Sequence, residues 1–165
     1  MKFTIDLFAI ELTPVSYHFG LIAAMGRRKP RFIVDTGASQ TVISLHLAQQ
    51  AGLETDIPDI DNLTIGIGQE SLSPQFTLIQ SLRLNNLKIK NIPCIVLPMD
   101  HINNTYKSIG QKSVDGILGS DLLYLLNAQI NLKKLKIQFE SVADEVEYNN
   151  LVRYKGLNIS LIPHF

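Results

Sequence analysis

The chain has little that would tie it to oxidising conditions, to polyanions or to a bilayer. It contains one cysteine, Cys94, in the apolar stretch Ile92-Pro93-Cys94-Ile95-Val96-Leu97. A single thiol forms no internal disulfide, so a reducing, cytoplasmic setting is expected, with Cys94 as a buried structural residue. Fifteen basic and fifteen acidic side chains cancel to a formal charge of zero. No excess charge steers the protein toward nucleic acid or an anionic membrane, and near-neutrality tolerates self-association. No apolar stretch reaches the ~18–20 residues of a membrane span. Near the start, Asp6 and Glu11 interrupt the apolar run after Lys2, and no small-residue cleavage site follows, so a signal peptide is not expected. The four histidines, His18, His46, His101 and His164, are scattered without ligand spacing. Asp56, Asp59 and Asp61 lack the glycine and distal glutamate of a calcium loop and read as solvated turn residues. No metal or cofactor is expected.

What is present is a chain of 165 residues, 45% hydrophobic and 18% charged, which suits one globular domain. Strand signals dominate. They cover Phe3 to Leu12, Tyr17 to Met25, Arg31 to Asp35, Leu63 to Gln69, Gln75 to Ile79 and Asn91 to Met99. Hairpins are expected about Asn85-Asn86 and Lys133-Lys134. The basic tip Arg27-Arg28-Lys29 reads as a solvated turn. Two short helices are expected, Ser44 to Leu53 with Ser44 as N-cap, and Ser120 to Leu126 with Ser120 placed to cap it. The polar stretch Asp100 to Ser113 reads as a loop. Residues 141–165 read as a tail with an acidic start and a β-like end. The pattern is all-β, a closed or partly open barrel with one or two short helices.

Two phrases carry chemistry. The strand Phe32-Ile33-Val34 ends abruptly in Asp35-Thr36-Gly37-Ala38-Ser39. A carboxylate at the end of a buried strand is expensive to desolvate and usually has a task. Eighty positions downstream stands Asp115-Gly116-Ile117-Leu118-Gly119, followed by a helical signal. Together, with a glycine-bearing hairpin between them, these phrases resemble the single active-site lobe of a retropepsin-like aspartic protease. The resemblance covers residues 1–140, which are taken as the domain; residues 141–165 are an extension.

The resemblance implies that Asp35, Thr36 and Gly37 are catalytic and that Ile117, Leu118 and Gly119 form a supporting strand beside the acid loop. It implies that Ala38, Ser39 and the flap-like segment Ile65-Gly66-Ile67-Gly68-Gln69 meet an extended polypeptide substrate. Ser39 could donate a hydroxyl to the outer oxygen of Asp35. Metal-free peptide hydrolysis needs two carboxylates close enough to share one proton. The chain has a single Asp-Thr-Gly and no Asp-Ser-Gly, so a dyad requires a homodimer that places Asp35 beside its copy. Retroviral members usually carry an arginine after the hydrophobic-Gly segment and an acid two places after the active-site glycine. Here those positions are Ser120 and Ser39, so the retroviral ion pair is missing and the dimer must be held differently. One candidate is a tail strand at Ile159 to Ile162 that adds to a dimer sheet.

A strand-end aspartate also opens phosphate-transfer motifs, but these need a lysine or second aspartate just after it and βα alternation, both missing here. The same lobe could alternatively serve as a catalytically silent dimerisation or peptide-binding module.

Overall fold

The computed structural model describes residues 1–56 and 74–157. The flap-like segment around Gly66, Ile67, Gly68 and Gln69, the tail strand at 159–162, Asp59, Asp61 and His164 lie outside the described residues.

The N-terminal apolar stretch makes two strands rather than one. β1 (Lys2–Asp6) and β2 (Phe8–Thr13) part at Leu7, whose amide donates to the Leu135 carbonyl at 2.8 Å. The uniform apolarity hid a change of sheet, because both halves bury one face. β2 pairs antiparallel with β3 (Ser16–Ile22), and β3 with β4 (Arg31–Val34). After the Asp35 loop come β5 (Val42–Ser44) and helix α1 (Leu45–Gln50). Ser44 caps α1 as expected: its hydroxyl accepts from the Leu47 amide at 3.0 Å.

The long hairpin of β6 (Gln75–Leu84) and β7 (Leu87–Leu97) turns at Asn85-Asn86. Asn85 adopts φ 55°, a left-handed conformation that asparagine tolerates well. Leu82, Leu84, Leu87 and Ile89 are fully buried, so the alternation read from the sequence is the inward face of this hairpin.

The expected loop at Asp100 to Ser113 contains a helix, α2 (Asp100–Ser108). Only Tyr106 of α2 is buried, so the helix leaves almost no apolar period in the sequence. β8 (Gly116–Leu118) and helix α3 (Ser120–Leu125) follow. Ser120 is the first helical residue rather than a cap, and Gly119 occupies the cap position. β9 (Gln129–Asn131) and β10 (Lys136–Glu140) close with β1 into a three-stranded sheet ordered β1-β10-β9.

The other sheet runs β11-β7-β5-β8-β4-β3-β2, with β6 pairing on β7. The protein is β-rich, as expected, but no barrel closes among the described residues. Phe3, Ile137 and Phe139 of the small sheet join Leu21, Phe32, Ile43 and Leu118 of the large one in a shared core. The first part of the expected tail is structured. β11 (Glu145–Glu147) pairs parallel with β7, and helix α4 (Tyr148–Tyr154) follows. Tyr148, Leu151 and Val152 enter the main core at helical spacing, an i, i+3, i+4 signal that the reading of residues 141–165 as a tail missed. No helix among the described residues is long and apolar enough to cross a membrane.

Leu151→Ala should cost about 2–5 kcal/mol of folding stability through lost burial and a residual cavity. Urea unfolding of the full chain checks this; a loss no larger than that of an exposed-site substitution would show that α4 does not belong to the core.

Candidate active site

The site is built by three short strands lying side by side in the order β5-β8-β4. The chain leaves β4, makes a loop at 35–41, and returns as β5 on the far side of β8. The loop therefore straddles the end of β8. β4 and β8 run parallel, with Val34 level with Leu118, and the Asp35 amide donates to the Leu118 carbonyl at 3.1 Å. β5 runs antiparallel to β8, pairing Val42 with Ile117. Ile117, Leu118 and Gly119, expected as a supporting strand, thus lie directly beneath the acid loop.

This straddle leaves no room for side chains at two glycines. A Cβ on Gly119 would lie 2.4 Å from the Gln40 carbonyl carbon and 2.8 Å from the Thr41 nitrogen. A Cβ on Gly116 would lie 2.4 Å from the Val42 carbonyl oxygen. Both obstacles are main chain, which cannot swing away as a side chain can. Neither glycine has a positive φ, so close approach, not conformational freedom, demands them.

Within the loop, the Gly37 amide donates to Asp35 Oδ1 at 2.8 Å, and the Ala38 amide to the Asp35 carbonyl at 3.3 Å. These bonds orient the half-buried carboxylate. Thr36 and Gly37 are exposed and form the outermost part of the turn. The far side of the loop is tied to the start of α3. Ser120 donates its amide to the Ala38 carbonyl at 2.7 Å and its hydroxyl to the Ser39 carbonyl at 3.3 Å. Ser39 engages through its carbonyl, and its exposed hydroxyl makes no bond to Asp35 among the described residues. Asp115 sits where the supporting strand begins: its Oδ2 accepts from the Arg31 amide at 2.8 Å, pinning the start of β4.

A residue pair that the sequence reading missed locks this arrangement. Thr41, fully buried, donates its hydroxyl to Asp121 Oδ1 at 2.8 Å and accepts from the Gly119 amide at 3.2 Å. One hydroxyl thus joins the loop, the end of β8 and the first turn of α3. Burial pushes the Asp121 carboxyl above its ordinary pKa, and the hydrogen bond from Thr41 opposes that rise. A polar residue within the first turn after a strand-ending glycine was the available signal. Cys94 lies buried in β7, and burial pushes its thiol well up, which agrees with an inert structural role.

A cavity of about 330 Å³ opens beside Asp35, walled by Ile33, Val34, Met99, Ile102, Tyr106 and Ile117. A larger one, about 450 Å³, lies between β7 and α4 and contains none of the expected site residues. Size alone does not mark the site; the smaller cavity is the one bordered by the half-buried Asp35. Among the described residues no cluster of histidine, cysteine, aspartate and glutamate is arranged to hold a metal.

The protein-family model described as aspartyl protease matches residues 23–122, which include both phrases. The chain belongs to the aspartyl protease family. Among solved structures, this aspartyl protease is similar to a retropepsin-like aspartic protease from Rickettsia conorii. The identity is 19%, with 84% of this chain and 89% of that chain covered, at a TM-score of 0.51. The retroviral protease-like domain of Ddi1 from Leishmania major is 17% identical, with 74% of this chain and 88% of that chain covered, at a TM-score of 0.49. No curated protein matches. At such identities the first likeness speaks to the fold, which is retropepsin-like.

Two outcomes test the construction of the site. Gly119→Ala should prevent folding or cost more than about 3 kcal/mol, because the obstacle is backbone on both sides; a near-native urea midpoint would overturn the close-approach account. The second test is Asp121. Its folded-state pKa is raised above the unfolded value, so its stabilising effect is greatest at low pH and is lost as pH rises through the folded value. Asp121→Asn keeps an acceptor for Thr41 and removes the charge. Its stability should lack that decline and match or exceed the parent at neutral pH; parallel stability-versus-pH curves for the two proteins would contradict this.

Proposed function

We propose that this aspartyl protease is an endopeptidase that acts as a symmetric homodimer, with Asp35 from each copy forming the catalytic dyad. The observation that carries the reading is the Asp35-Thr36-Gly37 turn, with Asp35 half-buried and Thr36 and Gly37 exposed, held from below by β8. One chain supplies one such carboxylate. Two copies related by a two-fold axis through the turn supply two, and each contributes the same residues to the site.

The chemistry follows from proximity. Two carboxylates ~3 Å apart cannot both ionise, so they share one proton. The charged member takes a proton from a bound water, which attacks the peptide carbonyl carbon. The protonated member donates to the carbonyl oxygen, and the proton held by the dyad passes on to the leaving nitrogen as the tetrahedral carbon collapses. Atoms balance as one water added across one C–N bond. Gly37 lets its amide approach Asp35 and keep the carboxylate aimed. Thr36, outermost in the turn, would meet its counterpart across the axis. Ala38, Ser39 and the segment Gly66, Ile67, Gly68 and Gln69 would bind the backbone of an extended substrate and exclude water. No metal or organic cofactor takes part. The single buried thiol suits a reducing cytoplasmic setting.

The competing reading is a silent peptide-binding or dimerisation module. Asp35 favours the enzyme, since a scaffold gains nothing from presenting a carboxylate on a reinforced turn. Asp35→Asn should abolish peptide cleavage while leaving circular dichroism and the dimer mass by light scattering unchanged. A wild type that is strictly monomeric at micromolar concentration, or that cleaves no member of a broad peptide library from pH 3 to pH 8, would overturn the proposal.

A further inference from the structure

The cavity beside Asp35 has a polar edge whose hydrogen bonding is directional. In β3, Gly20 stands opposite Ile33 of β4; continuing that antiparallel register by two steps sets His18 level with Asp35. His18 is exposed, and its ring borders the cavity. Its Nδ1 lies 2.6 Å from the hydroxyl of Tyr106, on α2. The two rings meet edge to face, with centroids 5.9 Å apart.

Tyr106 is 3% exposed, packed with Ile10, Ile33, Met99 and Val114. The tyrosine is buried as a residue, and Nδ1 of His18 is the partner its hydroxyl has among the described residues. With the Tyr106 O–H assigned as donor and Nδ1 as acceptor, the hydroxyl proton has a partner. A neutral imidazole that accepts at Nδ1 carries its proton on Nε2. Nε2, the other ring nitrogen, has no protein partner among the described residues, and His18 lines the cavity.

We propose that His18, with its tautomer set by Tyr106, is a substrate-positioning residue whose Nε2–H donates to a backbone carbonyl of an extended peptide lying across the Asp35 turn. This rests on the endopeptidase reading and adds to it an anchoring donor on the same strand level as the acid. The apolar walls below, Ile33, Met99 and Ile117, then receive the side chain of the anchored residue. Helix α2 acts here through Tyr106, so a segment that looks like a connection in the sequence sets the direction of a hydrogen bond in the cleft.

The interaction is made to substrate and transition state alike, so its loss raises KM and leaves kcat in place. His18→Leu should raise KM about two- to tenfold, the worth of one neutral hydrogen bond. His18→Gln, whose side-chain amide is again a donor, should recover most of that loss, which a merely structural role for the ring would not predict. In the Asp35→Asn chain, the same Leu substitution should weaken binding of an uncleaved peptide by the same factor. Imidazole nitrogen NMR of the Asp35→Asn chain should find the His18 proton on Nε2, and Tyr106→Phe should shift that balance. A proton on Nδ1, or a KM that His18→Leu does not change in an actively cleaving enzyme, overturns the inference and leaves the endopeptidase reading intact. A wild type that cleaves no library peptide, together with an Asp35→Asn chain that binds none, overturns both.

Discussion

Everything at the site depends on one steric fact: the loop at 35–41 crosses the end of β8 with no space between the two main chains. Gly119 allows the crossing, and the Thr41 hydroxyl fastens it by bonding both the Gly119 amide and Asp121. Main-chain bonds from Asp35 to Leu118 and from Ser120 to Ala38 close the crossing from either side. Because each partner is fixed by the others, the loop is not free to relax when its outer face is unoccupied. The Gly37 amide on this loop fixes the orientation of the Asp35 carboxylate.

The cost of this arrangement falls on Asp121. A carboxyl group buried behind the Asp35 turn resists ionisation, and hydrogen bonds from the Thr41 hydroxyl and from the backbone at Thr41, Leu122 and Asp121 offset only part of that resistance. The position marks a compromise between fastening the loop and burying a charge. The fold tolerates it because the remaining core is apolar and continuous across both sheets, from Phe3 and Phe139 to Leu118 and Leu151. The α4 segment contributes to that core well beyond the last strand of the small sheet, so the reinforcement behind the site includes residues far from it in sequence.

The legibility of the chain varied with how each element is stabilised. Strands with one buried face, such as β6 and β7, announced themselves through alternation. The Ser44 cap and the Asn85 turn were legible because each needs a particular side chain at a particular place. Helix α2 was not legible, because a single buried tyrosine anchors it and its remaining residues face outward. The division of the first strand at Leu7 was hidden for the opposite reason: both halves are apolar, and only pairing partners distinguish them. At the site, the adjacency of the Asp35 loop and the Ile117-Leu118-Gly119 segment was legible from residue type and order. Thr41 and Asp121 were not, since a threonine and an aspartate eighty residues apart acquire meaning only when the chain brings them within 2.8 Å.

The sequence by itself determined the type of chemistry available, because an acid followed by a small-residue turn after an aliphatic strand, and a matching glycine-bounded apolar strand downstream, are local patterns. It also determined that a lone chain carries one Asp-Thr-Gly triplet, since that follows from counting one motif. Tertiary structure alone decided which glycines are obligatory, which hydroxyl fastens the loop, and which cavity borders the acid. Those are properties of approach between segments distant in the chain, and no local pattern encodes a distance. The Asp35 turn draws its identity from its own residues and its rigidity from β8, Thr41 and α3.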